Sequence, residues 1–273
     1  MIEILSPGPL ATVQDLGRPG YADVGVARSG AFDRAALRAA NRLVGNDPGA
    51  AAIEVTLGAL VLITHGAATI ALTGAACPGL DPGVALSLPA GSVVRLGVPT
   101  FGLRSYLAVR GAIAVAPALG SRSTDTLSGI GPQPLRAGDR LTVGAQPSGA
   151  VSGLAFSARR SPPVLRVVLG PRTDWFSTDA ADVLVQAEWT VRADSNRIGV
   201  RLDGPVLERV RTDELASEPT LPGALQVPPD GRPILLGPDA PVTGGYPVIA
   251  VVRDADLDAA AQVRPGDRVR FLS

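Results

Sequence analysis

Four clusters of polar residues, each set among glycines, carry the side chains with which this sequence could do chemistry. They are Val13–Tyr21 with Gly25 and Ser29-Gly30; Ser105–Gly111 with Leu119–Asp125; Asn196–Leu202; and Glu214–Glu218 with Gly223–Gly231 and Thr243–Pro247. Arginine forks beside flexible glycines, with hydroxyl, amide and backbone N–H donors, suit the binding of a small carboxylate or an acyl phosphate. For any single cluster, the simpler interpretation is favoured: an Arg–Asp pair such as Arg122 with Asp125 only ties loops together. Four clusters together favour a binding site.

The other reactive residue types favour structural roles. His65 is the only histidine and Cys77 the only cysteine, so a packing or turn role is expected for His65 and a buried, inert thiol for Cys77. The alternating carboxylates from Asp254 to Asp258 lack the glycine and the closing glutamate of a calcium loop. They are expected to begin a solvated helix. No metal site is therefore predicted.

Composition excludes several classes of partner and chemistry. The 25 basic residues balance 25 acidic residues, so no broad positive field is available for nucleic acid. Every basic residue apart from His65 is arginine. The absence of lysine excludes Schiff-base chemistry, the P-loop lysine and covalently attached biotin.

The elements that must position these clusters are mostly strands. The 32 glycines and 25 prolines predict many turns. Short β-type runs are expected at 59–63, 69–72, 93–96, 106–109 and 164–169. One helix is predicted over residues 31–44, with shorter ones near 179–186 and 254–262.

A recurring phrase helps to divide the chain. Pro89-Ala-Gly91-Ser, Arg136-Ala-Gly138-Asp and Arg264-Pro-Gly266-Asp each predict a turn that leads into a strand. The second copy closes a segment before a small, polar stretch typical of a linker. The sequence thus predicts an N-terminal β-rich half over 1–145, a linker over 146–160 and a C-terminal β-rich half over 161–273. Closed barrels are favoured, since closure removes exposed sheet edges.

The expected location is the cytoplasm. No basic and apolar leader begins the sequence, and a single cysteine suits a reducing compartment. The uncharged run from Val55 to Leu80 is interrupted by glycine, threonine and histidine, so it predicts buried strands and no membrane association.

Ordered motifs along nearly the whole chain resemble the biotin-dependent carboxyltransferase family. This family is also called allophanate hydrolase subunit 2, and it includes the KipA proteins and the C-type subunit of bacterial 5-oxoprolinase. The motifs are Val13-Gln-Asp-Leu-Gly-Arg-Pro-Gly20, Ala40-Asn-Arg-Leu-Val-Gly-Asn46, Ser105-Tyr-Leu-Ala-Val-Arg-Gly111, Gly120-Ser-Arg-Ser-Thr-Asp125, Pro222-Gly-Ala-Leu-Gln-Val-Pro228, Thr243-Gly-Gly-Tyr-Pro247 and Arg264-Pro-Gly-Asp267. The resemblance implies a mainly β chain with cyclophilin-like β-barrel architecture.

The resemblance also implies a shared enzyme. The preferred activity is ATP-driven opening of 5-oxoproline to glutamate by a heteromeric complex. Its other members are a subunit 1 (KipI) homologue and a third protein that is homologous to the A-type subunit of 5-oxoprolinase. The chain is expected to be inactive alone, with ATP bound by the complex at a site not assigned to this chain. Two alternatives stay open. The chain could be a KipA-type regulatory protein, which binds a kinase inhibitor and so relieves inhibition of the kinase. It could also be the carboxyltransferase half of a urea carboxylase-like system.

The candidate site residues follow from the clusters and this resemblance. Asp15 and Glu218 are the candidate general bases. The expected substrate-binding residues are Arg110, Arg122 or Arg197 for a carboxylate or a phosphorylated lactam oxygen, Ser121, Ser123 and Thr124 as donors, and Tyr21, Gln226 and Tyr246 along the pocket. The family usually has an arginine within the segment that corresponds to Ser128–Pro134, and none is present here. It also usually has Thr-Thr before Gly-Gly-Tyr, where this sequence has Val242-Thr243. Both departures concern the choice of substrate.

Overall fold

The computed structural model describes residues 1–152 and 163–273, which divide into two compact units. The first unit contains residues 1–18 and 29–152, and the second contains residues 19–28 and 163–273. Among these residues, no helix has the length and apolar character needed to cross a bilayer. Residues 153–160 of the predicted linker, and the first two residues of the predicted C-terminal half, lie outside the described ranges.

The first unit is built from two sheets and one helix. Its elements are β1 (Ile2–Ser6), β2 (Leu10–Gln14), α1 (Arg34–Leu43), β3 (Ala52–Thr56), β4 (Val61–Thr64), β5 (Ala68–Gly74), β6 (Ala85–Leu88), β7 (Val93–Arg95), β8 (Arg104–Val109) and β9 (Arg140–Leu141). The sheets have the orders β7-β4-β1-β9 and β2-β3-β8-β5-β6. Their aliphatic side chains form one core, in which Ile4, Ile53, Leu62 and Leu107 are fully buried.

Helix α1 begins three residues later than the sequence predicts. The Asp33 carboxylate accepts a hydrogen bond of 2.8 Å from the Ala36 N–H and so caps the first turn. Ala36, Leu37 and Ala40 of the helix then pack against the five-stranded sheet. Their partners there include Ala71 of β5 and Tyr106 of β8. The predicted strand at 59–63 also begins later, because Leu57, Gly58 and Ala59 all adopt positive φ in a turn.

The second unit contains a closed barrel. Its elements are β10 (Val164–Leu169), α2 (Ala180–Gln186), β11 (Glu188–Val191), β12 (Gly199–Asp203), β13 (Glu218–Pro219), β14 (Ala224–Gln226), β15 (Ile234–Leu236), β16 (Thr243–Gly244), β17 (Val248–Val252), α3 (Asp254–Ala260) and β18 (Arg268–Leu272). The barrel order is β10-β17-β14-β15-β12-β11-β18, closed by parallel pairing of β10 with β18. The prediction of a mainly β chain with a β-barrel and a few short helices is confirmed.

All three copies of the recurring phrase form the predicted turns. Gly91, Gly138 and Gly266 have φ of 81°, 92° and 87°, and each lies two residues before a strand: β7, β9 and β18. In the last two copies an aspartate completes the turn by accepting the N–H of the arginine three residues earlier, at 2.7 Å for Asp139 and 2.8 Å for Asp267. Local chemistry thus fixes these turns.

Candidate functional site

In the first unit, the carboxylate of Asp15 gathers the loop Ser121–Ser123 at the end of β2. Its Oδ1 accepts hydrogen bonds from the Gly17 N–H at 2.8 Å and from the hydroxyls of Ser121 and Ser123, each at 2.6 Å. Its Oδ2 accepts the backbone N–H of Arg122 at 2.6 Å. Hydrogen bonds to an ionised acceptor are among the stronger ones in proteins. These four donors fit a carboxylate that positions the loop.

The loop is fixed along β2 by further hydrogen bonds. The Thr124 N–H donates to the Val13 carbonyl at 2.9 Å, and the Gln14 amide donates to the Thr124 carbonyl at 2.9 Å. Ser121, Ser123 and Thr124 are all buried. The structure therefore brings Asp15, Ser121, Arg122, Ser123 and Thr124 together, but it engages both serine hydroxyls with Asp15.

Two hydrogen bonds position Arg122: one from its backbone N–H to Asp15 and one from its side chain. The Nε group donates to the Val115 carbonyl at 2.8 Å, and the side chain is partly exposed. Asp125 accepts the N–H groups of Leu127 at 2.9 Å and Ser128 at 3.0 Å, so it closes its own turn. Within the described residues no Arg122–Asp125 ion pair is found, so this particular pair does not tie the loops together.

Arg110 and Arg197 bind other parts of the protein. Arg110 donates to the carbonyls of Val44, Pro147 and Gly149 at 2.7, 2.9 and 2.8 Å, and to the Gln146 side chain at 2.8 Å. Arg197 forms a bidentate pair with Asp239 at 2.8 and 3.0 Å, and both side chains are at most 1% exposed. These contacts favour structural roles, since each guanidinium already satisfies protein acceptors.

In the second unit, the paired strands β13 and β16 bring three of the predicted residues close together. Glu218 lies opposite Gly244 in this pair, and the Gln226 amide donates to the Tyr246 carbonyl at 3.3 Å. A Cβ atom on Gly244 would lie 2.6 Å from the Gln226 Nε2, so a side chain there would require the Gln226 amide to move. The cluster Glu218–Gln226–Tyr246 is thus a second candidate region, with a half-exposed tyrosine at its surface.

The Glu218 carboxylate is paired with an arginine. Arg172 forms a two-pronged ion pair with Glu218. This hydrogen-bonded pair lowers the pKa of Glu218 below its ordinary value. A proton acceptor at neutral pH works best with a pKa near 7, so the pairing weakens Glu218 in that role.

Tyr21 belongs to the second unit by its contacts. Its carbonyl accepts the N–H groups of Val24 at 3.3 Å and Val26 at 3.0 Å around a single 3-10 turn, Ala22–Val24. The predicted residues are therefore divided between the two units. Among residues 1–152 and 163–273, no group of three or more histidine, cysteine, aspartate or glutamate side chains could hold a metal ion.

Sequence reasoning passed over one buried side chain in the first cluster. Arg18 is 1% exposed, and its Nη2 donates to the carbonyl of Ser123. Nothing in the sequence distinguishes it from the other arginines except its place between Gly17 and Pro19, where Gly17 turns the chain at φ 82°. That turn directs Arg18 toward the loop that Asp15 holds.

Comparison with known proteins gives a consistent result. A family model described as the carboxyltransferase domain, subdomain A and B, matches residues 24–273. The C-type 5-oxoprolinase subunit of Escherichia coli (strain K12) is 40% identical over 281 residues, covering 100% of this chain and 91% of that protein. The urea amidolyase of Lachancea kluyveri is 36% identical, covering 99% of this chain but 17% of that protein.

A solved structure shares the fold. The crystal structure of TTHA0988 superposes with a TM-score of 0.89 at 37% sequence identity. The match covers 100% of this chain and 56% of that chain, so this sequence spans about half of the solved protein.

Proposed function

The chain belongs to the carboxyltransferase-domain family, subdomains A and B, and on this premise we propose that it is the C-type subunit of a 5-oxoprolinase. The observation that carries the proposal is the 40% identity to a protein of that name, extending over 91% of its length. The complex would open the ring of 5-oxoproline: water adds across the lactam C–N bond to give glutamate, while ATP is hydrolysed to ADP and phosphate.

In this proposal the chain acts as one part of a cytoplasmic complex. Its partners are a subunit 1 (KipI) homologue and a homologue of the A-type 5-oxoprolinase subunit, and ATP binds to the complex at a site that we do not assign to this chain. Without lysine, the chain carries no covalently attached biotin.

The contacts support different roles for the two candidate acids. Asp15, with four donors on its oxygens, positions the backbone of Arg122. The Arg122 guanidinium, fixed at Nε, presents its Nη groups to the carboxylate or to the phosphorylated lactam oxygen. Glu218, Gln226 and Tyr246 form a further candidate contact region for the substrate or a partner.

The decisive experiment is reconstitution. We expect 5-oxoproline-dependent phosphate release from ATP by the partner proteins to require this chain. Loss of turnover in Arg122→Ala, with the complex still assembled on gel filtration, supports the proposed role of that guanidinium, and Arg95→Ala on the exposed edge strand β7 is the matched control. A failure of Arg122→Ala to assemble contradicts that role and gives Arg122 a structural one.

A second candidate function rests on the urea amidolyase similarity. If carboxylation of urea by a separate biotin carrier requires this chain, and phosphate release with 5-oxoproline does not, the chain is the carboxyltransferase part of a urea carboxylase-like system. A stable complex with the KipI homologue and no substrate-dependent activity in the complete mixture would instead favour the KipA-type regulatory function.

A further inference from the structure

Arg18 is a buried cation that uses little of its hydrogen-bonding capacity. Of the three guanidinium nitrogens, Nη2 donates to the Ser123 carbonyl, whereas Nε and Nη1 have no hydrogen-bond partner among the described residues. Arginine stays protonated in proteins. A buried charge without a counter-charge is costly, so buried arginines are normally paired.

The backbone around Arg18 approaches the guanidinium closely. Gly131 has φ of 91°, and a Cβ atom there would lie 3.1 Å from the Arg18 Nη2 and 2.1 Å from the Ser123 carbonyl oxygen. Any side chain at this position would therefore displace one of the two groups. Glycine at position 131 thus leaves room for the Ser123 carbonyl that accepts the hydrogen bond from Arg18.

A second polar group beside this loop also lacks a partner. Thr124 follows the residue whose carbonyl holds Arg18, and its buried hydroxyl makes no hydrogen bond within the described part of the chain. A hydroxyl can donate to an anion. One carboxylate oxygen nearby in sequence, Asp125 Oδ2, is likewise buried and unpartnered, yet the described residues contain no Arg18–Asp125 ion pair.

We propose that Arg18 binds a small oxyanion, a carboxylate or a phosphate group, through its Nε and Nη1 groups. Two of the three predicted anion-binding arginines, Arg110 and Arg197, already bind protein acceptors, whereas Arg18 retains the N–H group of Nε and those of Nη1. The oxyanion would supply the counter-charge for which the described residues show no candidate paired with Arg18. This binding does not depend on the proposed function.

The test is thermal unfolding of the isolated full chain with 5-oxoproline, glutamate or inorganic phosphate, at ionic strength held constant with sodium chloride. A ligand that binds the folded state raises Tm in a saturable way. We expect such a rise for the wild type and for the control Arg95→Met, at least a tenfold weaker apparent affinity for Arg18→Lys, and no rise for Arg18→Met. A response to 5-oxoproline and glutamate alone assigns a carboxylate, and a response to phosphate alone assigns a phosphate group.

The proposal is overturned if none of the three anions raises the wild-type Tm, or if Arg18→Met keeps the response. Should Arg18→Met not fold, a crystal structure of the wild type grown with the same anions decides: an oxyanion bound to Nε or Nη1 supports the site. Ordered water alone, bridging Arg18 to Asp125, overturns it. Because no turnover is measured, failure of the 5-oxoproline assay leaves this outcome unaffected.

Discussion

At the scale of single residues, Asp15 offers the sharpest test of how the first cluster is held. Asp15→Asn keeps the size of the side chain but places an amide donor where the carboxylate accepts four hydrogen bonds. We expect the free energy of unfolding to fall by about 1–3 kcal/mol, because buried donors lose their acceptor. Urea denaturation measures this change.

Asp47→Asn is the matched control for Asp15→Asn. Asp47 Oδ1 also accepts the N–H two residues further on, from Gly49 at 2.8 Å, but Asp47 is exposed. Its replacement should leave stability within about 0.5 kcal/mol of the wild type. Equal losses in both variants would contradict the positioning role of Asp15.

Glu218 gives a prediction about pH at the same scale. Its pKa is lowered from the ordinary value of 4.5 by Arg172, so the pair stabilises the fold above the unfolded pKa. That contribution is lost as pH falls through the lower, folded pKa. We expect the stability difference between wild type and Glu218→Gln to be present at neutral pH and to vanish in acid, as measured by urea denaturation across pH.

Glu188→Gln provides the comparison, since Glu188 lies on the exposed surface of β11, 3.4 Å from Arg268. A surface pair at this separation should contribute little. Two results would contradict a pH-dependent contribution of the Arg172–Glu218 pair. One is a stability difference between wild type and Glu218→Gln that does not change with pH. The other is an equal pH-dependent difference between wild type and Glu188→Gln.

At the scale of elements, Arg110 fixes the segment that follows β9. Its guanidinium holds Gln146, Pro147 and Gly149 against the end of α1, so the first part of the predicted linker is anchored to the first unit. We expect Arg110→Met to speed amide exchange over residues 144–152 by about tenfold or more, as each lost hydrogen bond contributes roughly 1 kcal/mol. Hydrogen-exchange mass spectrometry measures it, with Arg95→Met as the control. Unchanged exchange would contradict this role of Arg110 and leave the segment anchored by other bonds, such as those from the Gly144 N–H to the Ala112 carbonyl and from the Ser152 N–H to the Leu43 carbonyl.

Elements also show why the sequence predicts some features and misses others. The helix α1 and the turns at Gly138 and Gly266 depend on residues within a few positions of one another, so their signals are local. The bond between Asp15 and Ser121 joins residues 106 positions apart, and the Arg197–Asp239 pair joins residues 42 apart. The sequence indicates which residue types could pair, such as arginine with aspartate. It does not indicate which two residues pair, because the fold brings distant segments together.

At the scale of the whole molecule, Cys77 reports unfolding of the first unit. Burial raises the pKa of its thiol, and the sulfur lies 3.2 Å from the Ser105 hydroxyl oxygen. Since the thiolate is the reactive form, we expect labelling by an aromatic disulfide reagent to be at least about a hundredfold slower in buffer than in denaturant. Rapid labelling of the native chain would contradict the buried position, and Cys77→Ser, which removes the only thiol, should give no signal in either condition.

The parallel pairing of β10 with β18 has a consequence for synthesis on the ribosome. Val164 of β10 lies opposite Arg270 of β18. The first barrel strand to be translated therefore pairs with the last one, and almost the whole sequence of the unit lies between them. Contacts this distant in sequence form slowly, because a long loop must be closed first. While β18 is still inside the exit tunnel, β10 has an unpaired edge and its apolar side chains Leu165 and Val167 lack part of their cover. We therefore expect the nascent second unit to expose apolar surface that chaperones can bind until its final strand emerges.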